Sequence, residues 1–159
     1  MNGITILTVT KDADWLVGMR PALHAAGRGR LVVAESIEEA ERLLDVAKPR
    51  VVAIDWKRSE CRTDDLATLL WLNSLRARPA SVVIVAQDYE VAEATELFRL
   101  GVDEYVSEAD HRSVLGSVLL AHAPAVPGRR STAWDSPAAV APAVGREPVD
   151  AFAAVAPSR

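Results

Sequence analysis

The chain has 159 residues, half of them hydrophobic and a quarter charged, with a formal net charge of −4. That length supports one domain with a substantial core and leaves little for a second. The acidic balance, without any Lys/Arg block, excludes an obvious nucleic-acid surface. No apolar run approaches the ~18 residues of a membrane span, and no charged region followed by a long apolar one opens the sequence. A cytoplasmic protein with neither nucleic-acid nor membrane partners is expected, and a single cysteine, Cys61, agrees with a reducing compartment.

Ile4 to Val9 clusters aliphatic and β-branched residues and predicts a first strand. A polar turn follows in which either Asp12 or Asp14 caps a helix carrying Leu16, Met19, Leu23 and Ala26, closed by Gly27. Pro21 inside that helix predicts a kink or a late start. Leu31 to Ala34 is a short second strand. Ser36 and Glu39 then form a capping box ahead of the stripe Ile37, Ala40, Leu44 and Ala47, and Lys48-Pro49 ends the helix.

Val51-Val52-Ala53-Ile54 reads as a strand buried on both faces that stops on Asp55. Thr63-Asp64-Asp65 opens an apolar helix with Leu66, Leu69, Leu70, Leu72 and Leu75, ending before Pro79; Trp71 makes it a candidate interface if its ring points outward. Ser81 to Ala86 is another fully buried strand. Asp88 is placed to cap a helix with Val91, Ala94, Leu97 and Phe98 up to Gly101, and Phe98 is expected in the core. Val102 to Ser107 predicts a more polar edge strand, and Asp110 a cap for the last helix, with Val114, Leu115, Val118 and Leu119. Five strand–helix alternations with right-handed crossovers imply a parallel sheet covered on both faces. From Ala123 onward Ala and Pro dominate without a period, which predicts a disordered tail or linker over 123–159 in which Trp134 and Phe152 are either docking anchors or linker content.

Two stretches, the strand ending in Asp55 and Leu100-Gly101-Val102-Asp103-Glu104-Tyr105-Val106, together with the order of elements, resemble the receiver domain of bacterial two-component response regulators over residues 3 to 122. The resemblance implies a flavodoxin-like (βα)5 doubly wound sheet in the order 2-1-3-4-5, occupying 1–122. It makes Asp55 the phosphoacceptor position, with Mg²⁺ held by Asp55 and an acidic pair after the first strand, because a hard cation needs oxygen ligands and must offset phosphoryl charge.

Measured against that pattern the site is degenerate. The acidic pair falls on Thr10 and Lys11, the hydroxyl that bonds the phosphoryl oxygen on Ala86, and the pairing Lys on Glu108, whose usual Pro neighbour is Ala109. Trp56-Lys57-Arg58-Ser59 stands where a Pro is customary. The expectation is a pseudo-receiver without a cofactor, in which Lys11 reaches Asp55 and replaces the metal with a fixed ion pair. The alternative is a conventional response regulator phosphorylated on Asp55 by a histidine kinase, with Asp12 serving Mg²⁺.

The implied role is a phosphorylation-independent protein–protein interaction or localisation module whose partners are other signalling or regulatory proteins. A homodimer through helix 88–100, strand 102–106 and helix 110–122 is a further option. Tyr89, Tyr105, Trp15, Trp56 and Trp134 are candidate interface residues, with burial as packing the competing reading for Tyr105, Trp15 and Trp56. An enzyme is not expected: there is no Gly-rich phosphate loop and no Gly-x-Ser-x-Gly elbow, and His24, His111 and His122 lack metal-ligand spacing. Arg58 and Arg62 near Cys61 are placed to lower its pKa, but a lone thiol does not argue redox sensing.

Overall fold

A computed structural model describes residues 3–25 and 29–124. In chain order the elements are β1 (Ile4–Val9), α1 (Ala13–Ala25), β2 (Gly29–Ala34), α2 (Ile37–Ala47), β3 (Val51–Trp56), α3 (Thr63–Ser74), β4 (Ser81–Ala86), α4 (Val91–Leu100), β5 (Glu104–Ser107), α5 (Glu108–His111) and α6 (Leu115–Ala121). The five strands form one parallel sheet in the order β2-β1-β3-β4-β5. Parallel neighbours need a crossover, and each intervening helix supplies one. No helix among the described residues is long and apolar enough to cross a membrane.

β3 lies at the centre, and Val51 to Ile54 are fully buried because their side chains alternate into two cores. One core joins Leu7, Val52, Ile54, Val82 and Ile84 to α2, α3 and α4. The other joins Ile6, Val51, Ala53, Val83 and Val85 to α1 and α6. The strand order reverses between β1 and β3, so their carboxyl ends open a crevice at the switch point.

Local chemistry explains most boundaries. Ser36 caps α2 by accepting the Glu39 N–H at 3.2 Å, and the Glu39 carboxylate accepts the Glu35 N–H at 2.7 Å, which buries all four predicted stripe residues. Asp12 caps α1 by accepting the Asp14 N–H at 2.9 Å. That helix runs unbroken through Pro21 with no late start. The bond Pro21 forgoes is to the carbonyl of Val17, an exposed residue on the solvent side. The proposed closure at Gly27, and the tail over 125–159, lie outside the described residues. In α3, Asn73 is buried and bridges to β4, donating to the Ala80 carbonyl at 2.8 Å and accepting the Ala80 N–H at 2.9 Å.

Several expectations are corrected. β2 starts earlier, at Gly29, and β5 later, at Glu104. Asp88 does not cap α4; Glu90 is the cap residue and makes no side-chain cap bond. A start at Val91 turns Glu93, Ala94 and Leu97 inward, leaving Val91 and Phe98 exposed, so Phe98 is not core. Leu75, at the end of α3, is likewise exposed. The last helix is split in two, because Ser107 rather than Asp110 is the cap: its hydroxyl accepts the Asp110 N–H at 3.3 Å and starts α5 three residues early. Val114 then becomes the exposed cap residue of α6.

Candidate functional site

The register pairs Val9 with Ile54 and Asp55 with Val85, so Asp55 projects at the carboxyl edge of the central strand beside the residue that follows β1. Its side chain is 8% exposed. A carboxylate so enclosed needs partners. Oδ2 accepts the Thr10 hydroxyl at 2.8 Å and lies 3.5 Å from Lys57 Nζ. Thr10 is itself buried, and its oxygen also accepts the Asp12 N–H at 3.0 Å. The negative charge of Asp55 raises the Lys57 ammonium above its ordinary pKa.

Lys11 does not pair with Asp55, contrary to the expectation. Its ammonium stands 4.0 Å from Glu60 and is largely exposed. The reason is the pleat: residues leaving a strand alternate in direction, so when Thr10 turns to Asp55, Lys11 turns to solvent. The same period was the signal for the residue that was missed, since Lys57 follows Asp55 by two positions along an extended segment and shares its side.

The remaining site positions make no hydrogen bond or ion pair with Asp55. Ala86 is buried at the end of β4. Glu108 pairs within its own helix with Arg112 at 3.5 Å. Asp12 spends one carboxylate oxygen on the first turn of α1. Above Asp55 lies a small polar crevice bordered by Lys11, Ser36, Glu38, Glu60 and Asp65. The donor set does not fit Mg²⁺. The Lys57 ammonium stands beside the carboxylate where a cation would bind, Thr10 offers a neutral hydroxyl in place of a carboxylate, and among the described residues no three His, Cys, Asp or Glu side chains group as metal ligands.

Cys61 is partly buried, its thiol donating to the Asp55 backbone carbonyl at 3.6 Å. Burial pushes that thiol up, the reverse of the shift expected from the two arginines. Arg58 turns instead to Glu90 and Glu93, and Arg62 to Asp64.

Composition and spacing gave no hint of a second polar cluster. Glu93, in the first turn of α4, is buried and receives Arg58 Nε and the Tyr105 hydroxyl, the latter at 2.7 Å. Burial alone would raise the Glu93 carboxyl; hydrogen bonds from Arg58 and Tyr105, the approach of the Trp56 indole and the Arg58 charge outweigh it, and the group lies below its ordinary range. Burial, followed by the Glu93 bond and charge, pushes the Tyr105 phenol strongly up.

Tyr105 is therefore an interior residue, which removes it as an exposed interface anchor. Trp15 and Trp56 are also corrected: both are buried, one in each core, because they sit at inward positions of α1 and β3. Tyr89 is 55% exposed and packs edge-on against Tyr105, with centroids 5.2 Å apart and planes at 84°. Trp71 is 61% exposed on α3. Trp134 lies outside the described residues.

No protein-family model matches the sequence, and no curated protein matches it as a relative. Solved structures do. A CheY-like protein, TadZ, from Pseudomonas aeruginosa PAO1 is 25% identical with a TM-score of 0.57, covering 80% of this chain and 100% of that one. The receiver domain of a NarL response regulator from Mycobacterium tuberculosis is 16% identical with a TM-score of 0.63, over 77% of this chain and 98% of that one. An atypical orphan response regulator, described as having a phosphorylation-independent regulatory mechanism, is 20% identical with a TM-score of 0.60, over 75% and 94%. The five-stranded order 2-1-3-4-5 and these neighbours together make the fold that of the CheY-like receiver domains of response regulators.

Proposed function

We propose that this chain is an atypical receiver, a pseudo-receiver, that works as a phosphorylation-independent protein-interaction or localisation module in bacterial cytoplasmic signalling, without enzymatic activity or a cofactor. The observation that carries this reading is the state of Asp55: its Oδ2 is engaged by the Thr10 hydroxyl and the Lys57 ammonium. An internal cation and donor thus do what a metal ion would do, and they fix the carboxylate in one setting. The absence of a hydroxyl at Ala86 and of a cation at Glu108 acts in the same direction, since phosphoryl transfer relies on preorganised charge stabilisation.

The receiver-like domain occupies 1–122 and the Ala/Pro-rich segment 123–159 serves as tail or docking linker. Partners are other signalling or regulatory proteins, met on the face of α4, β5 and α6, where Tyr89, Val91 and Phe98 are exposed; a homodimer would use the same face. The phosphorylation-independent mechanism ascribed to the orphan neighbour supports the same class of behaviour. The test is incubation with acetyl phosphate and Mg²⁺ followed by intact mass. The expected mass is unchanged. A stable phosphoryl adduct mapping to Asp55 would overturn the reading in favour of a conventional regulator served by a histidine kinase.

A further inference from the structure

Glu93 is an unusual residue for its place. It is 7% exposed, on the inward side of α4 with the buried Ala94 and Leu97. An ionised carboxylate there is costly unless donors meet it, and removing one donor leaves the charge stranded. The donors come from two other elements. Arg58, in the connection after β3, bonds Glu93 Oε2 through Nε and places Nη2 3.3 Å from Glu90 Oε1, clamping the first turn of α4. Tyr105 of β5 donates its hydroxyl to Glu93 Oε1 at 2.7 Å; the Asp88 carbonyl at 3.4 Å is a longer alternative for the one proton. The Trp56 indole N–H is buried without a hydrogen bond of good geometry, and its approach adds to the donors that favour the ionised Glu93 carboxylate.

We propose that Arg58, Glu93 and Tyr105 form an ionic latch that holds the Tyr105 ring inside the fold and ties the connection after β3 to the surface built by α4 and β5. The consequence is a conditional surface. With the latch closed, Tyr105 is buried and the exposed Tyr89 stacks edge-on against it. With Glu93 lost, the phenol has no charged acceptor inside; with Arg58 lost, the Glu93 carboxylate that accepts it is left buried without its cation, and either change favours an opening that gives these groups water. Arg58 is the accessible end of the latch, its side chain 60% exposed, so the loop beside Asp55 governs a residue on a different face. Arg58 and Glu93 are positioning residues for Tyr105. The latch stands whether or not Asp55 accepts a phosphoryl group, so its failure and that of the functional reading are separate results.

The chain contains two tyrosines, Tyr89 and Tyr105, which makes their modification easy to assign. The full-length protein is treated with tetranitromethane near neutral pH, and nitration at each tyrosine is followed by peptide mass mapping. In the wild type Tyr89 reacts and Tyr105 is protected. In Glu93→Ala, and to a smaller extent in Arg58→Ala, Tyr105 should react faster by about tenfold or more, as expected when a charge-assisted bond that closes a local opening is removed. Tyr89 should change little, and Arg58→Lys should restore part of the protection. Far-UV circular dichroism and a cooperative melt identify the folded variants. If Glu93→Ala does not fold, Arg58→Ala decides, because its exposed guanidinium can be removed without opening a cavity. Wild-type protection of Tyr105 in a folded Glu93→Ala or Arg58→Ala protein would overturn the latch, as would equal loss of protection in Arg58→Ala and Arg58→Lys.

Discussion

At the scale of single residues, the environment of Asp55 ranks three neighbours. Thr10 gives a buried carboxylate its one short hydrogen bond and also accepts a backbone N–H, so Thr10→Val orphans two groups. A hydrogen bond to a charged group is worth about 1.5–3 kcal/mol, and that loss is expected in urea unfolding. The Lys57 side chain is 45% exposed and its pair is screened by water, so Lys57→Ala should cost at most about 1 kcal/mol. Lys11 has only a distant, exposed contact with Glu60, and Lys11→Ala should stay within about 0.5 kcal/mol. A Lys11→Ala loss as large as that of Thr10→Val would restore the ion pair that the sequence alone suggested. Asp55 and its candidate role were legible because a carboxylate ending an apolar run is rare. Its partners were not, because which of Thr10, Lys11 and Lys57 faces it depends on the phase of the pleat beyond the strand ends.

Among elements, the contact of α1 with α6 leaves no room for a side chain at Gly116. A Cβ added at Gly116 would lie 2.5 Å from the Ala22 Cβ and 3.1 Å from the Met19 carbonyl oxygen. Gly116→Ala brings two opposing effects. Helix propensity favours Ala by about 1 kcal/mol. Overpacking against a neighbouring helix costs about 1–3 kcal/mol, and backbone cannot rotate away as a side-chain tip can. The net effect should be a lower melting temperature in a thermal scan, and an increase would show that α1 and α6 separate freely. Element type was readable where local chemistry is self-contained, as in the Ser36–Glu39 cap and the stripe of α2. It failed at the start of α4 and between α5 and α6. There the competing caps were a few residues apart, and the choice rested on what the sheet left room to bury.

For the whole molecule, the buried Glu93 links fold stability to pH. Its folded carboxyl lies below the ordinary value of 4.5, so on acidification the unfolded chain binds that proton first. The latch's stabilisation is complete above about 4.5 and is lost as pH falls through the lower folded value. The stability advantage of wild type over Glu93→Gln, from urea unfolding at a series of pH values, should therefore shrink below about 4.5. An advantage that stays constant into acid would show that Glu93 is not ionised in the fold. The sequence by itself determined a parallel five-stranded architecture and the two-sided burial of the β3 run, because hydrophobic periodicity and β-branched runs leave few packings and crossover handedness selects among them, while the order that puts β3 at the centre was implied by the resemblance to receiver domains. Only the tertiary structure decided that Lys57 rather than Lys11 accompanies Asp55, that Tyr105 and both Trp15 and Trp56 face inward, and that Glu93 is an interior charge. Those outcomes depend on which side chains from remote elements arrive at the same few ångströms. One-dimensional spacing does not encode that convergence, because the cost of burying a charge or a ring is settled by its partners in space.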